Sequence, residues 1–412
     1  MEPRNLIVCC DGTNNLFGSE NTNVVRLVQT LERDSTRQLV YYDPGVGTLP
    51  EPGFVSWLGK RSSEVFGLAF GAGLVPKVGQ AYAFLMQHWR PGDRVYLFGF
   101  SRGAYSVRTL AALLHMYGLL QAGNENLIPY LLRMFKASRR KLDKSTASAS
   151  GFWRLCNEFR KTFAQAIPDC DDRRFPIHFM GVWDTVSSVG WLWDPLRFPF
   201  TQRNPSVRTI RHAVSLDERR AFFRQNVFAL ADGKSTQDLV EVWYPGVHAD
   251  VGGGYPEDEG GLWREAFTWM LGEAQAAGLM IDPVRLQAVW GHSAVPDKPW
   301  CERAHRSLTW KWLLAEVFPK LHFRGPGRWR LPHVNLGRPR RIRSPVQVSE
   351  TVMLRLKDCV PPYRPRPKEL QDLVAGGPPF SSKMVAGSVR RTDFADVLQR
   401  AVAAAAASPT RR

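Results

Sequence analysis

A serine stands between two glycines at the end of an apolar run. Residues 99–103 read Gly-Phe-Ser-Arg-Gly, with VYLFGF leading into the serine and the helix-like AYSVRTLAALL following the second glycine. A strand–turn–helix of this kind holds the serine in a strained backbone conformation, and the close chain passage needs small residues at Gly99 and Gly103. The turn also places Ser101 over a helix N-terminus, where N–H groups stabilise an oxyanion. The pattern predicts a nucleophilic serine; a glycine-rich connection with an incidental serine is the alternative.

A nucleophilic serine needs a base, and the base needs an orienting acid. Asp184 follows the apolar run IHFMGVW, and His248 follows EVWYPGV, so the chain order is Ser, Asp, His. Both side chains are expected at the carboxyl edge of a parallel sheet, where α/β proteins build their sites. Asp250 is the alternative acid. A plain turn residue at Asp184 and an ordinary loop histidine at His248 are the other interpretations.

Two backbone segments are candidates for the oxyanion hole. The N–H of Arg102 directly follows the serine, and the loop DGTNN after the first apolar run offers the N–H groups of Gly12 and Thr13. A simple turn in which Asp11 bonds its own backbone is the alternative for this loop. In some phosphatases an aspartate at such a place is a nucleophile, but here Ser101 competes for that role.

Metal chemistry receives little support from the sequence. His248 and Asp250 have the spacing of two metal ligands, but no third ligand stands at a recognisable distance along the chain. We therefore expect no catalytic metal and no cofactor. A structural Ca²⁺ held by loop carboxylates stays open.

Apolar runs alternate with helix-like segments, the pattern of a parallel sheet with crossover helices. Strands are expected at 5–10, 38–42, 95–100, 177–183 and 239–244, and helices after Asn21 or Thr22 and at 64–89, 104–119, 205–216 and 262–277. The predicted fold class is α/β, with a mostly parallel central sheet covered by helices on both faces. We expect a catalytic domain over 1–282 with a helical, basic insertion at about 120–172. Residues 283–412 are expected to be an irregular, Arg-, Pro- and Trp-rich region packed on or flanking that domain.

Composition narrows the class of protein. The 412 residues are 44% hydrophobic, which excludes global disorder, and six cysteines are too few for a disulfide scaffold. Cys9 and Cys10 are neighbours in an apolar run, so we expect them to be free thiols on opposite faces of a strand in a reducing compartment. The first apolar run is too short for a signal peptide, and no stretch reaches the roughly 20 residues of a bilayer span.

The net charge of +17 favours a polyanionic partner. Residues 320–343 hold eight Lys or Arg and no Asp or Glu, with Phe323 and Trp329 between them. A solvated basic loop, attraction to an anionic membrane and base stacking are the competing interpretations. Trp57, Leu58 and the run at 191–193 lie in loop-like segments, where they either enter a membrane interface or fill the core.

Seven sequence blocks occur in one order: DGTNN, YYDPGVGT, GAGL…AYAFL, GDRVYLFGFSRGAYSVR, FMGVWDTVSSVG, RHAVSLDERR and VWYPGVHADVGGGY. Over about residues 5–277 the chain resembles the catalytic domain of the first family of type VI secretion lipase effectors. The resemblance implies an α/β-hydrolase fold and phospholipase activity, mainly of the A type. It places the nucleophile at Ser101 in GFSRG, the acid at Asp184 in GVWDTV and the base at His248 in GVHADVGGGY.

The expected function is a serine esterase that hydrolyses carboxylic esters of lipids, as a phospholipase and a type VI secretion antibacterial effector. The expected partners are a phospholipid or other acyl-ester substrate and an anionic membrane surface, with no specific nucleic acid. The resemblance adds an immunity protein, a type VI secretion component, and delivery from the bacterial cytoplasm to the periplasm of a target cell. The alternatives are a carboxylesterase or thioesterase on small acyl substrates, and a binding module on a retired hydrolase scaffold.

Overall fold

A single sheet of parallel strands forms the centre of the protein. The computed structural model describes residues 3–12, 18, 20–45, 73–142, 146–168, 170–186, 190–191, 194–195, 198–229, 237–256, 258–291, 297–317, 320–322, 331–371, 373 and 383–407. Within these ranges eight strands are joined in the order β8-β7-β6-β5-β4-β3-β1-β2, every pair parallel. Their bounds are β1 Asn5–Cys10, β2 Gln38–Asp43, β3 Arg94–Phe100, β4 Ile177–Trp183, β5 Val207–Ser215, β6 Asp238–Tyr244, β7 Val346–Ser349 and β8 Val385–Val389.

Helices connect the strands and cover both faces of the sheet. The α-helices are α1 Asn23–Thr30, α2 Leu74–His88, α3 Arg102–Tyr117, α4 Ile128–Leu142, α5 Thr146–Phe163, α6 His248–Gly252, α7 Trp263–Ala276, α8 Pro283–Trp290, α9 Trp310–Val317, α10 Glu350–Asp358 and α11 Phe394–Ala407. Helices α2 to α5 pack in the core on one face, and α1, α7, α8 and α11 pack on the other. Among the described helices, none is long and apolar enough to cross a membrane.

Strand β1 shows why the central strands read as continuous apolar runs. All its residues are buried, and successive side chains enter different cores. Leu6 and Val8 lie on the face of α2 and α3, whereas Ile7 and Cys9 lie on the face of α1 and α7. A strand covered on both faces has no polar side, so strict alternation of apolar and polar residues is absent. Cys9 and Cys10 are buried free thiols on opposite faces, as predicted.

The α/β fold class is confirmed, but one predicted element has the wrong type. The segment predicted as a helix at 205–216 is strand β5, which pairs with β4 and β6. Val207, Ile210 and Val214 have helical spacing, yet they belong to a strand that is largely buried on both faces, where spacing does not separate the two structures. Helix α1 begins after Thr22, whose hydroxyl accepts a hydrogen bond from the Val25 N–H, as predicted. The first part of the helix predicted at 64–89 lies outside the described residues, and α2 begins at Leu74.

The C-terminal region is more regular than the sequence indicates. It adds β7 and β8 to the edge of the central sheet, and α11 packs on α7 and α8. A disulfide joins Cys301 to Cys359, 58 residues apart, and was not foreseen. The boundary at residue 282 stays a prediction, and one sheet extends across it. Helices α4 and α5 lie within residues 120–172, and the assignment of this segment as an insertion stays a prediction.

Short elements complete the described structure. Two antiparallel ribbons each pair a short strand with the next: Lys320–His322 with Leu331–His333, and Gly190–Trp191 with Asp194–Pro195. Single 3₁₀ turns lie at Glu125–Leu127, Ala221–Phe223, Pro299–Cys301 and Lys368–Leu370.

Candidate active site

Ser101 occupies a strained turn between β3 and α3. Its φ of 59° and ψ of −121° lie outside the regions that non-glycine residues commonly adopt. A Cβ at Gly99 would lie 2.7 Å from the backbone of Ala104, and one at Gly103 would lie 2.1 Å from the Cys10 carbonyl oxygen. Side chains at either glycine would therefore push β3, α3 and β1 apart. Strain of this kind persists only where the surrounding packing holds it, and it concentrates at functional sites.

The sheet register brings the predicted residues to one edge. Gly99 of β3 pairs with Cys10 of β1, and Phe100 pairs with Trp183, the last residue of β4. Strands β3 and β4 therefore end side by side, and Ser101 and Asp184 follow directly. The Ser101 N–H donates to the Trp183 carbonyl at 3.1 Å, so the two strand ends are also bonded to each other.

Asp184 and His248 form a short buried pair. The Nδ1 of His248 lies 2.5 Å from Oδ2 of Asp184, and the side chains are 6% and 0% exposed. Because a carboxylate only accepts hydrogen bonds, Nδ1 carries the proton, and Nε2 is left as the basic nitrogen. The Ser215 N–H donates to Asp184 Oδ1 at 2.9 Å and holds the carboxylate in place. Asp184 itself has a positive φ of 36°, a second strained backbone position at this edge.

Aromatic rings hold the imidazole beside the serine turn. Phe100, the residue before Ser101, stacks on the His248 ring with centroids 4.6 Å apart, and Phe223 meets it edge-on at 4.8 Å. Helix α6 approaches Phe100 closely because Gly252 has no side chain: a Cβ there would lie 1.9 Å from the Phe100 ring. The first glycine of the run after His248 therefore has a packing reason, which is the passage of α6 against the residue that precedes the serine.

The surroundings of the pair favour a neutral His248 and an ionised Asp184. Burial lowers the pKa of His248, against the opposing hydrogen bond and charge of Asp184. Burial alone would raise the pKa of Asp184, but the charge of Arg340 and the hydrogen bond from His248 outweigh it and hold that pKa well below its usual range. A neutral imidazole beside a carboxylate can accept a proton from a hydroxyl, which is the task of a general base.

Arg340 is a site residue that the sequence did not indicate. Its Nη1 donates to Asp184 Oδ1 at 2.5 Å and its Nη2 to Oδ2 at 2.9 Å, and the guanidinium also donates to the Ser215 carbonyl. The composition of residues 320–343 predicts a solvated or polyanion-binding basic segment, and for Arg340 this prediction is wrong, because its side chain is buried. The pair joins residues 156 positions apart, a separation that no local pattern reveals.

Two further carboxylates support the loop that carries the histidine. Asp217 accepts from the Gly246 N–H at 2.7 Å, and Glu218 accepts from the His248 N–H at 3.3 Å. Burial raises the pKa of Glu218, but the hydrogen bonds and charge of Arg220 lower it to about 2, so the carboxylate is ionised. Both acids belong to the block RHAVSLDERR. Their position just beyond β5 is the sequence feature that could have identified them as residues of the site.

Asp250, the alternative acid, has a different partner. Its Oδ1 lies 2.6 Å from Nδ1 of His305, and its Oδ2 accepts from the Val247 N–H at 2.9 Å. The acid placed at Nδ1 of His248 is Asp184. Across the described ranges, no group of three or more His, Cys, Asp or Glu side chains has the arrangement of a metal site.

The predicted oxyanion donors are only partly described. Arg102 is the first residue of α3, so its N–H lies at the helix N-terminus. The Gly12 N–H donates to Asp11 Oδ1 at 2.6 Å, so it is engaged within its own turn. Thr13 lies outside the described residues, as do Trp57 and Leu58 and the side chains at 191–193. These assignments stay predictions.

The parallel sheet, its crossover helices and the Ser101 turn make this an α/β-hydrolase-like fold. The family model described as "T6SS, Phospholipase effector Tle1-like, catalytic domain" matches residues 4–273. The chain belongs to this family. It is 38% identical over 234 residues to the uncharacterized protein YEL023C of Saccharomyces cerevisiae, a match covering 55% of this chain and 33% of the yeast protein.

Two solved structures are similar in part. A crystal structure of an uncharacterized Pseudomonas aeruginosa protein has a TM-score of 0.43 and 20% identity, covering 72% of this chain and 50% of the other. The Tle1 effector bound to the VgrG spike from the type VI secretion system has a TM-score of 0.30 and 18% identity, covering 62% and 51%. The chain thus spans about a third of the yeast protein's length and about half of each solved chain.

Proposed function

We propose that the protein is a serine esterase that hydrolyses carboxylic ester bonds of lipids, most specifically a phospholipase of the A type. The observation that carries the serine mechanism is the 2.5 Å pair of His248 and Asp184 at the sheet edge where Ser101 is held in a strained turn. The family supplies the lipid substrate, because its model describes phospholipase effectors. The A-type position rests on the sequence resemblance.

In the proposed mechanism, His248 is the general base. Its Nε2 removes the Ser101 proton as Oγ attacks the acyl carbonyl carbon, and the resulting imidazolium is stabilised by Asp184. The N–H of Arg102 donates to the tetrahedral oxyanion, with Gly12 or Thr13 as the second donor. Since the Gly12 N–H is bonded to Asp11 in the structure, its use as a donor requires that bond to open.

The second half of the reaction uses the same groups in reverse. The imidazolium of His248 protonates the departing alcohol oxygen as the bond from the acyl carbon to that oxygen breaks, leaving the acyl group on Ser101. Water then attacks the acyl-enzyme while His248 takes its proton, and the fatty acid is released with regeneration of the serine hydroxyl. Asp184 keeps the imidazole in one tautomer throughout.

Delivery by type VI secretion is a further part of the proposal. The family is named for secretion effectors, and the solved Tle1 effector is bound to a VgrG spike. We extend to this chain a secretion component, an immunity protein covering the Ser101 site, and action in the periplasm of a target cell.

The test compares wild type with Ser101→Ala on vesicles of phosphatidylglycerol and phosphatidylethanolamine, with a dissolved short-chain ester alongside. The matched control is Ser106→Ala, a buried serine one turn further along α3 whose hydroxyl donates to the Arg102 carbonyl. We expect fatty acid and lysolipid from wild type and Ser106→Ala, and neither from Ser101→Ala.

The other outcomes separate the alternatives. Cleavage of the dissolved ester alone would replace the phospholipase with a small-substrate carboxylesterase. Full lipid cleavage by a folded Ser101→Ala protein would end the serine mechanism. The chain position of the released fatty acid, read by mass spectrometry, tests the A-type assignment.

A further inference from the structure

Helix α9 turns one face inward, against the candidate site. Trp312 meets Phe223 edge-on with centroids 5.6 Å apart, and Phe223 in turn contacts the His248 ring. The Arg220 guanidinium lies 3.6 Å from the Phe223 centroid and is paired with Glu218 at 2.9 Å. The aromatic series therefore joins α9 to the imidazole, and the position of the helix is fixed relative to the site.

Glu316 anchors the same helix to two neighbouring segments. Its buried carboxylate accepts from the Ala221 N–H at 2.6 Å, from Asn335 Nδ2 at 2.7 Å and from the Gly337 N–H at 2.9 Å. These bonds join α9 to the turn that carries Phe223 and to the loop around residue 336. Since every group in the set is satisfied, the three segments form one rigid unit.

The outer side of this unit exposes large apolar side chains. Trp310 is 71% exposed, Leu313 is 52% exposed and Leu336 is 60% exposed. Trp310 and Leu313 are three residues apart and share a helix face, while Trp312 and Glu316 lie on the inward face. Leu336 has a positive φ of 52°, which is unusual for a leucine, and it is flanked by the two groups bonded to Glu316. The fold thus holds apolar side chains in water on an immobilised support.

Three arginines lie close to one another at the segment that carries Phe223, and one of them contacts the neighbour of Leu336. Arg224 follows Phe223 and donates to Asn335 at 3.1 Å, and the Arg341 carbonyl accepts from the Gln225 side chain at 2.9 Å. Burial lowers the pKa of Arg224, Glu316 opposes this, and the charges of Arg341 and Arg343 lower it further. Arg341 and Arg343 are exposed, and neither pairs with a carboxylate of the described residues. Arg224 is partly buried, whereas the guanidinium groups of Arg341 and Arg343 face water, where such groups are suited to bind anions.

We infer that this surface docks on a bilayer containing anionic phospholipid. We name it the α9 rim, and it consists of Trp310, Leu313, Leu336, Arg224, Arg341 and Arg343. The inference rests on the proposed function and identifies the face through which that site meets its substrate. The apolar side chains enter the acyl boundary, and the arginines bind headgroup phosphates. The aromatic contacts from α9 to His248 place the site at the membrane surface. The apolar residues and two of the arginines lie beyond residues 4–273, outside the part that defines the family.

The test measures vesicle binding by the Ser101→Ala protein, so that binding is separated from hydrolysis. The protein is sedimented with phosphatidylglycerol–phosphatidylethanolamine vesicles and, in parallel, with phosphatidylcholine vesicles. We expect preference for the anionic vesicles, reduced by salt. Arg341→Gln with Arg343→Gln should weaken binding about thirtyfold, from about 1 kcal/mol for each arginine. Trp310→Ser with Leu313→Ser should weaken it about tenfold or more, through lost apolar burial.

Matched controls carry the same changes elsewhere on the surface. Val284→Ser with Val360→Ser removes apolar side chains that are 75% and 94% exposed, and Arg133→Gln with Arg390→Gln removes two exposed arginines. The arginine pair should change vesicle affinity by about fivefold or less, because it alters only the long-range electrostatic field of the protein. The valine pair should change the affinity by no more than this. Thermal unfolding by circular dichroism checks that every variant is folded.

The remaining outcomes decide between docking and its alternatives. Rim variants that bind vesicles as well as the controls do would overturn the inference. A dimer in light scattering that the rim variants dissociate would assign the surface to self-association instead. Rim-dependent binding without serine-dependent hydrolysis would remove the proposed phospholipase and leave the docking surface standing, so the two failures are distinguishable.

Discussion

Replacing Arg340 by methionine tests the electrostatic design of the site. The variant removes two hydrogen bonds of 2.5 and 2.9 Å to Asp184, the bonds to the Ser215 and Phe223 carbonyls and one positive charge, with little change in side-chain length. Breaking a buried ion pair costs about 3–5 kcal/mol. Asp184 keeps its bonds from Ser215 and His248, so we expect a loss near the lower end of that range, measured by urea denaturation.

The pH dependence of activity should change in a predictable direction. In the proposed mechanism activity requires neutral His248, whose pKa burial lowers, so we expect activity above that pKa and its loss as the pH drops through it. Arg340 disfavours a second positive charge on the imidazole. Its guanidinium also partly neutralises Asp184, the carboxylate that stabilises the imidazolium, and each change of about 1.4 kcal/mol in that stabilisation moves the pKa by about one unit. In Arg340→Met the pKa of His248 should therefore rise, and the acid limb of kcat/KM should move to higher pH.

The assay is kcat/KM on a dissolved ester across the pH range, for wild type, Arg340→Met and Arg340→Lys. Lysine keeps the charge but cannot form both bonds in the same geometry, so its acid limb should stay near that of wild type. An unchanged limb in a folded Arg340→Met protein would refute the electrostatic reasoning. A limb that moves to lower pH would reverse the sign and also refute it.

Three other predictions concern the acid, the serine turn and the disulfide. Asp184→Asn should lower kcat about 10⁴-fold in an ester assay, as loss of the orienting acid does in serine proteases. Asp250→Asn should leave most of the activity. The opposite ranking would restore Asp250 as the acid. Gly103→Ala should lower the free energy of unfolding in urea by at least about 2 kcal/mol, because its Cβ would lie 2.1 Å from a carbonyl oxygen. The control Gly151→Ala has open space at the Cβ in α5 and should raise the free energy of unfolding by about 0.5–1 kcal/mol. Equal effects of the two substitutions would contradict this reasoning. Cys301→Ser should lower stability by about 4 kcal/mol in the chain-entropy estimate for a separation of 58 residues, and an unchanged urea midpoint would contradict a formed disulfide.

The sequence predicts those site residues whose position depends only on the strand or helix next to them in the chain. Ser101 lies between a strand and a helix, and Asp184 follows a strand, so each could be placed at the sheet edge from its neighbours alone. Strands β1 and β4 were predicted with the bounds they have in the structure. Their ends set the edge, because parallel strands bring their carboxyl ends to one side.

The missing parts depend on contacts between distant residues. Arg340 reaches Asp184 from a basic segment whose composition indicates solvent, and His305 reaches Asp250 across 55 residues. Strand β5 was predicted as a helix because burial on both faces removes the alternation that separates the two periodicities. The edge strands β7 and β8 are short, at 4 and 5 residues, and lie among Pro- and Arg-rich sequence, so their pairing depends on the sheet already formed beside them.

Labelling with a fluorophosphonate, which reacts with activated serines, tests the central claim that Ser101 is the nucleophile. The labelled protein is digested, and the modified peptide is identified by mass spectrometry for wild type and His248→Gln. The account predicts a single adduct on Ser101 in wild type and a strongly reduced rate of labelling in His248→Gln. An adduct on another serine, or equal labelling of Ser101 without the histidine, would contradict it.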